Sequence, residues 1–440
     1  MNYLKNGFMR RSMSSAALLA LASAVTLLPC TSYAAKSSET SPRVAAPEQI
    51  IDPATPARDG MVLTASSEFN GTDINDALFT DRYLPHWSTS PGTKANYEVS
   101  GGTLKLRITE DQQPWDPNFD GSTRVSSLQT YQKDYLHEWT KYPGVAQHTT
   151  PFRGHLQKYG YFELRARAAN GGGLHSAWWM TGANQDVPEG QGGWSRQNGE
   201  VDIFEILGRN NATTAQSAIH PWGDWGRLFP WTTKISTGTD LSEGFHTYGF
   251  EWKPSGMKVY VDGVEKFSTP LSPNYPMLTY LGLYEKREEN SWTGPFDPAI
   301  PYPKAFEIDY FRAYQYAPTS LPYTLATTDG VMRGETRVSG GTTRWLGGAG
   351  NDVTLTSVYA PEAGTYRLGV EYRSGEVRDL HVNVNDDEYV LGGLSTGFFK
   401  GGFAWATTSV PLRQGWNTVR LGNPNAPAPD LRNIRIESRE

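Results

Sequence analysis

Cysteine is almost missing from this chain of 440 residues: the single Cys30 lies in an N-terminal segment that reads as a removable leader. Without that leader the chain has no thiol. This excludes disulfide staples, thiol nucleophiles and cysteine-ligated metals. An excess of positive charge is missing too. The 40 Lys and Arg against 46 Asp and Glu give a formal net charge of −6, so there is no basic stripe for phosphates. No nucleic-acid motif occurs, and no nucleic-acid partner is expected. The apolar stretch Ala16 to Leu28 is shorter than the roughly 20 residues a membrane span needs. No long amphipathic helix pattern and no internal repeat occurs.

What is present is aromatic and short-period. Aromatics are 12% of the chain, with 14 Trp and 23 Tyr, a composition that suits stacking on flat sugar faces as well as ordinary β-rich packing. Lys5, Arg10 and Arg11 ahead of the apolar stretch, then Ser32-Tyr33-Ala34, read as an export signal over residues 1–34. Arg10-Arg11 fits a twin-arginine signal or an ordinary one. Leu28-Pro29-Cys30 departs from a lipoprotein acceptor, because proline stands where a small residue is wanted. A secreted bacterial protein, extracellular or periplasmic, is expected.

Residues 35–60, rich in Ser, Thr, Pro and Ala, read as a disordered linker. From 61 to 317 short alternating runs are separated by Gly, Pro and Asn. Tyr161 to Arg167 puts Phe162, Leu164 and Ala166 on one face, and Lys258 to Gly263 ends on a hairpin signal. Residues 318–325 read as a second linker, and 326–440 as a second set of short strands. The expectation is all-β: a sandwich of two sheets followed by a smaller β-sandwich.

One run stands apart: Glu200-Val201-Asp202-Ile203-Phe204-Glu205. In a regular strand Glu200 and Asp202 share a face and Glu205 falls on the other; only a β-bulge returns it. Three carboxylates on one face repel, so at least one should keep its proton above its free pKa. An acid beside an ionised base is the equipment for cleaving glycosidic bonds. The bland alternative is a solvated acidic edge strand, against which the apolar Val201, Ile203, Phe204, Ile206 and Leu207 argue.

The motifs together resemble glycoside hydrolase family 16, the laminarinase, lichenase and agarase group, with a concanavalin-like β-jelly roll. Tyr159 to Glu163, Phe245 to Trp252 followed by Val261-Asp262-Gly263, and Phe306 to Arg312 resemble its strands in the right order. The resemblance implies Glu200 as nucleophile, Asp202 as assisting acid and Glu205 as acid/base. It implies Trp194 and His220 as substrate contacts, and Asp309 as a ligand of a structural calcium; no cofactor is otherwise required. Arg196 can bind a sugar hydroxyl or cap its loop. Where glucanases of the family often have Trp-Pro-Ala-Phe-Trp, this chain has His175-Ser176-Ala177-Trp178-Trp179. His175, Ala177 and Trp179 share one face and Trp178 takes the other; the periodicity does not say which meets the cleft. With the unusual run from Gly282 to Trp292, this departure concerns substrate.

The tail resembles carbohydrate-binding modules of families 6 and 35, through Ala363 to Tyr366, Val382 to Asn385, Gly415 to Val419 and Pro429 to Ile434. That likeness implies Trp405 as a stacking aromatic and Asp430 where many such modules have an asparagine; a non-binding spacer is the alternative. The expected protein is a monomeric, secreted, retaining endo-β-glycan hydrolase acting on a polysaccharide of the β-1,3- or β-1,3-1,4-glucan class. Hydrolysis of an agar- or carrageenan-like galactan, transglycosylation, and lectin-like binding are the alternatives.

Overall fold

The computed structural model describes residues 44–85, 92–132, 150–183, 197–210, 212–288, 292–385 and 387–440. The short alternating runs are strands because their period of two matches the pleat. Thr103–Ile108 is typical: Leu104, Leu106 and Ile108 are fully buried while Thr103, Lys105 and Arg107 reach toward solvent.

Two antiparallel sheets form the larger sandwich. The first has the strand order Val264–Thr269, Gly256–Val261, His246–Lys253, Gly160–Arg167, Lys304–Tyr316, Thr103–Ile108 and Tyr97–Ser100, with Met61–Ser67 paired to the far half of Lys304–Tyr316. The second has the order Trp231–Ser236, Thr214–His220, Glu200–Leu207, Leu174–Gly182, Met277–Glu285 and Arg124–Gln129. The inner faces interlock: Phe162, Leu164, Phe250 and Phe306 of the first sheet share one cluster with Trp178, Met180, Ile203 and Phe204 of the second. Burying each such side chain contributes roughly 1.5–3 kcal/mol. The acidic run is therefore an interior strand with partners on both sides, which removes the edge-strand reading. The hairpin signal at Asp262-Gly263 is a tight turn in which both residues take positive φ, 50° and 76°.

Two more sheets follow. Strands Arg337–Ser339, Thr342–Arg344, Asp430–Arg439, Gly364–Arg373 and Ala404–Leu412 form one, with Tyr323–Ala326 added on Asp430–Arg439. Val331–Met332, Asp352–Ala360, Gly415–Gly422, Arg378–Val384 and Asp387–Leu394 form the other. They close over a cluster of their own that includes Leu368, Val370, Val382, Leu421 and Ile434.

Two segments expected as linkers carry structure instead. Residues 44–60, within the expected 35–60 linker, lie against the sandwich. Pro47–Ile50 forms a helical turn whose Ile50 is buried in the main cluster, and Arg58 lies 3.7 Å over the ring of Tyr161. The composition hid this because one isoleucine and one arginine do the anchoring. The expected 318–325 linker is already a strand from Tyr323, which pairs with Ile436.

Candidate active site

The register across the acidic strand decides which side chains meet. On the Leu174–Gly182 side, Ala177 faces Glu205, Trp178 faces Phe204, Trp179 faces Asp202 and Thr181 faces Glu200. Ile203 has no counterpart, so the strand carries a bulge there. On the Thr214–His220 side, Gln216 faces Glu205, Ala218 faces Asp202 and His220 faces Glu200, with the same interruption. Ile203 and Phe204 are then both buried in the core, at 0% and 1% exposure. The extra residue restores Glu205 to the face of Glu200 and Asp202. Cross-strand partners share a face, so His175, Ala177 and Trp179 stand on the carboxylate side while Trp178 is buried in the core.

The carboxylates are set among donors. Trp222 Nε1 donates to Glu200 Oε2 at 2.8 Å. His220 Nε2 lies 3.3 Å from Asp202 Oδ2, and its ring stacks on Trp222 with centroids 5.3 Å apart. Gln216 Nε2 donates to Glu205 Oε2 at 3.1 Å, while His175 Nε2 lies 3.3 Å from Glu205 Oε1. Burial is the main force on Glu200, and the neighbouring Asp202 adds to it; together they push its carboxyl up to about 8 against relief from His220 and Trp222. Burial, then Glu205, pushes Asp202 well above the usual carboxylate range, offset in part by its hydrogen bond with Glu200. Glu200 and Asp202 titrate as a pair, and the free site holds a proton between them near neutral pH.

Beyond His175 the cleft face is aromatic. Trp179 stacks on Tyr280 with centroids 3.9 Å apart and donates from Nε1 to Tyr284 Oη at 3.0 Å. His175 stacks on Tyr284 and meets the edge of Trp292. Tyr83 closes this wall, with Trp115, Trp179, Tyr280 and Tyr284 around its ring. At the other end the turn after His220 is pinned from beneath. Buried Asp224 accepts from Tyr275 Oη at 2.9 Å, and that hydroxyl accepts from the amide of Gly199 at 3.0 Å.

Sequence reasoning missed Trp222, Gln216, Tyr284 and Tyr83. Gln216 and Trp222 follow from the pairing of His220 with Glu200, once that register is known. Tyr83 comes from a distant segment with no signal beyond its aromaticity. Of the predicted contacts, Trp194 and Arg196 lie outside the described residues.

Asp309 does not fit a calcium site. Its carboxylate is taken by Arg165 in an ion pair, and calcium wants six to eight oxygens. Among the described residues one group offers three converging metal-ligand atoms, Glu200, Asp202 and His220, within 4.8 Å of one another. Two acids and one imidazole again fall short of calcium's preference, and these are the groups of the acidic site itself.

The tail residues also separate. Asp430 lines a pocket of about 470 Å³ with Trp345, Phe399 and Arg344, and its carboxylate accepts from Arg344 Nε at 2.9 Å and Arg373 Nη2 at 3.2 Å. Trp405 is not in that lining; Arg435 lies 4.5 Å over its ring on the outer face of the Ala404–Leu412 strand. The aromatics beside Asp430 are Trp345 and Phe399.

An acidic trio beside an aromatic wall, with Asp202 and Glu205 buried, Glu200 half-buried and one proton shared between Glu200 and Asp202 near neutrality, is equipped for acid-assisted displacement at an acetal carbon. Residues 117–310 match the family described as glycosyl hydrolases family 16. A glucan endo-1,3-beta-glucosidase of Cryptopygus antarcticus is 33% identical over 249 residues, 55% of this chain and 78% of that one. A beta-glucanase of Acetivibrio thermocellus is 28% identical over 210 residues, 47% of this chain and 55% of that one. The chain spans about half the length of the Acetivibrio thermocellus beta-glucanases, covering 55% and 44% of two of them. Among solved structures, a GlcNAcα1-4Gal-releasing endo-β-galactosidase from Clostridium perfringens is similar with a TM-score of 0.54 and 33% identity, over 64% of this chain and 71% of that one.

Proposed function

Since this chain belongs to the glycosyl hydrolases of family 16, we propose that it is a secreted, retaining endo-hydrolase of β-glycans of the β-1,3- or β-1,3-1,4-glucan class. The observation that carries this reading is the bulge at Ile203, which gathers Glu200, Asp202 and Glu205 on the cleft face between two hydrogen-bonded neighbours.

The chemistry follows from the two ends of the trio. Glu200, ionised and held by the Trp222 N–H, attacks the anomeric carbon from one side. The bond from that carbon to the glycosidic oxygen breaks, and the oxygen takes the proton of Glu205 and leaves as an alcohol. A glycosyl ester on Glu200 remains. Water then enters; Glu205, now ionised, accepts its proton while its oxygen attacks the same carbon and releases Glu200. Two inversions give net retention. Asp202 shares a proton with Glu200 in the free site and takes it over when Glu200 must be ionised, so its raised affinity for that proton favours the reactive state. An acceptor sugar in place of water turns the same cycle into transglycosylation.

A second reading is hydrolysis of a galactan. The likeness to an endo-β-galactosidase supports it, as does a polar His175 on the cleft face. The 326–440 sandwich is proposed to hold glycan in the pocket lined by Trp345, Phe399 and Asp430, each ring offering a flat apolar surface for a pyranose.

The test is a panel of β-glucans and galactans, each digested with wild type and with Glu200→Gln, with products sized and their anomeric configuration followed by NMR. Internal cleavage with retained configuration, lost in Glu200→Gln, is expected on one class. Inverted products, or unchanged cleavage by Glu200→Gln, would remove the reading.

A further inference from the structure

We infer that His175 is the positioning residue of the acid/base: it holds Glu205 in the geometry for proton transfer to the leaving oxygen, and so acts through that carboxyl rather than on the glycan alone. This rests on the proposed activity and extends it to a residue to which the family match assigns no role.

Three observations carry the inference. His175 Nε2 is buried from solvent and has no hydrogen-bond partner among the described residues, yet lies 3.3 Å from Glu205 Oε1. A buried ring nitrogen without a partner is costly, so it belongs where one completed interaction matters. Catalytic hydrogen bonds are often long or misaligned before substrate binds and tighten in the complex. A small rotation of the Glu205 carboxyl would complete this one.

The imidazole itself cannot easily turn away. It is stacked on Tyr284, with centroids 5.0 Å apart and planes 29° apart, and Trp292 meets it edge-on. Tyr284 is in turn held by the N–H of Trp179. The ring is therefore fixed, and the mobile partner is the carboxyl.

The other carboxyl oxygen is already engaged. Gln216 donates to Oε2 from the opposite neighbouring strand. Glu205 thus sits between a donor on one strand and an imidazole on the other, and its torsion is set when both engage. A carboxyl that gives a proton in one step and takes one in the next needs a neighbour that can donate or accept. Imidazole nitrogens do either, according to tautomer, whereas the amide nitrogen of Gln216 only donates.

The experiment uses the full chain and two aryl or glycan leaving groups. His175→Phe keeps a ring against Tyr284 and Trp292 and removes the nitrogen; His175→Gln restores a polar end. On the glycan, whose leaving oxygen needs a proton, kcat/KM of His175→Phe should fall by about tenfold or more. On a dinitrophenyl glycoside of the same sugar, whose leaving group needs none, the glycosylation rate should stay within about twofold. His175→Gln should recover part of the glycan activity. Equal losses on both substrates, or no loss on the glycan, would overturn the inference. Glu205→Gln serves as the control and should show the same leaving-group dependence more strongly. If Glu205→Gln lacked that dependence, the acid/base reading would fall, and the inference with it. A normal control with an unresponsive His175→Phe would remove the inference alone.

Discussion

Glu200 is held in the fold against its own charge. Its folded carboxyl titrates at about 8 where an ordinary glutamate titrates at 4.5, so as pH rises the unfolded chain gives up its proton first. The unfolded state then binds fewer protons than the folded one, and stability falls with pH across that window, from about 4.5 to about 8. Glu200→Gln removes this titration. The variant should lose turnover by about a thousandfold or more. It should also unfold later than wild type near neutral pH, by about 1–2 kcal/mol, with the difference closing in acid. Denaturant melts at several pH values check this, and a constant gap across pH would contradict it. Trp222 works in the opposite direction, because its N–H favours the ionised carboxylate. Trp222→Phe keeps the ring on His220 and loses the donor, so the Glu200 pKa should rise further. The acid limb of the kcat/KM profile is expected to move up by about half a unit to one unit, with activity down about tenfold. An unmoved limb would show that the indole does not govern the nucleophile. The trio was legible in the sequence because setting three carboxylates close together in an apolar run is costly, and sites that do chemistry are where such a cost is commonly met. Trp222 was not, because its place depends on a turn with φ at +46° and on a pairing that only the folded sheet supplies.

At the scale of the strand, the bulge was legible as a necessity: three acids could serve one site only if one residue dropped out of register. The face assignment of His175 and Trp179 was not, because both faces of an interior strand in this sandwich are lined with apolar side chains. The register makes a specific prediction about length. Deleting Ile203 leaves Phe204 opposite Trp178 and Ser217, and Glu205 opposite Ala177 and Gln216, so both ladders then run without a break. All three acids stay on the cleft face. The shortened protein should lose about 2–4 kcal/mol, the scale of a fully buried isoleucine, yet keep measurable turnover. Inserting an alanine between Phe204 and Glu205 instead sends Glu205 into the core, and should abolish activity. Expression of both variants, with melting curves and assays on soluble oligosaccharide, decides between these outcomes. Equal inactivation of two folded variants would mean that the bulge does more than set the face.

Across the whole molecule, the two sandwiches share more than a tether. Val331, of the tail, is buried in the same cluster as Leu156 and the aromatics Tyr83, Trp115, Tyr131 and Tyr280, of which Tyr83 and Tyr280 belong to the aromatic wall beside the acidic site. Lys158 and Asp329 form an ion pair across the same junction. Truncation after Pro318 should therefore lower turnover on insoluble glycan through loss of tethering. It should also lower the melting midpoint by roughly 4–8 °C, the equivalent of about 2 kcal/mol of lost burial. Calorimetry of the truncated chain checks this, and an unchanged midpoint would make the tail an independent passenger. The proline- and serine-rich stretches suggested such independence, since composition records how polar a segment is and not what a single valine or isoleucine in it touches. The helical turn at Pro47–Ile50 sits at this junction. Ala45, Pro47 and Ile50 border the same space as Leu156, Val331 and Trp416, and Glu48 lies 3.2 Å from Arg413. Those two partners are 365 positions apart in the order of synthesis. An early-made strap therefore waits for a late-made surface, and this seam can close only once the chain has been made past Arg413.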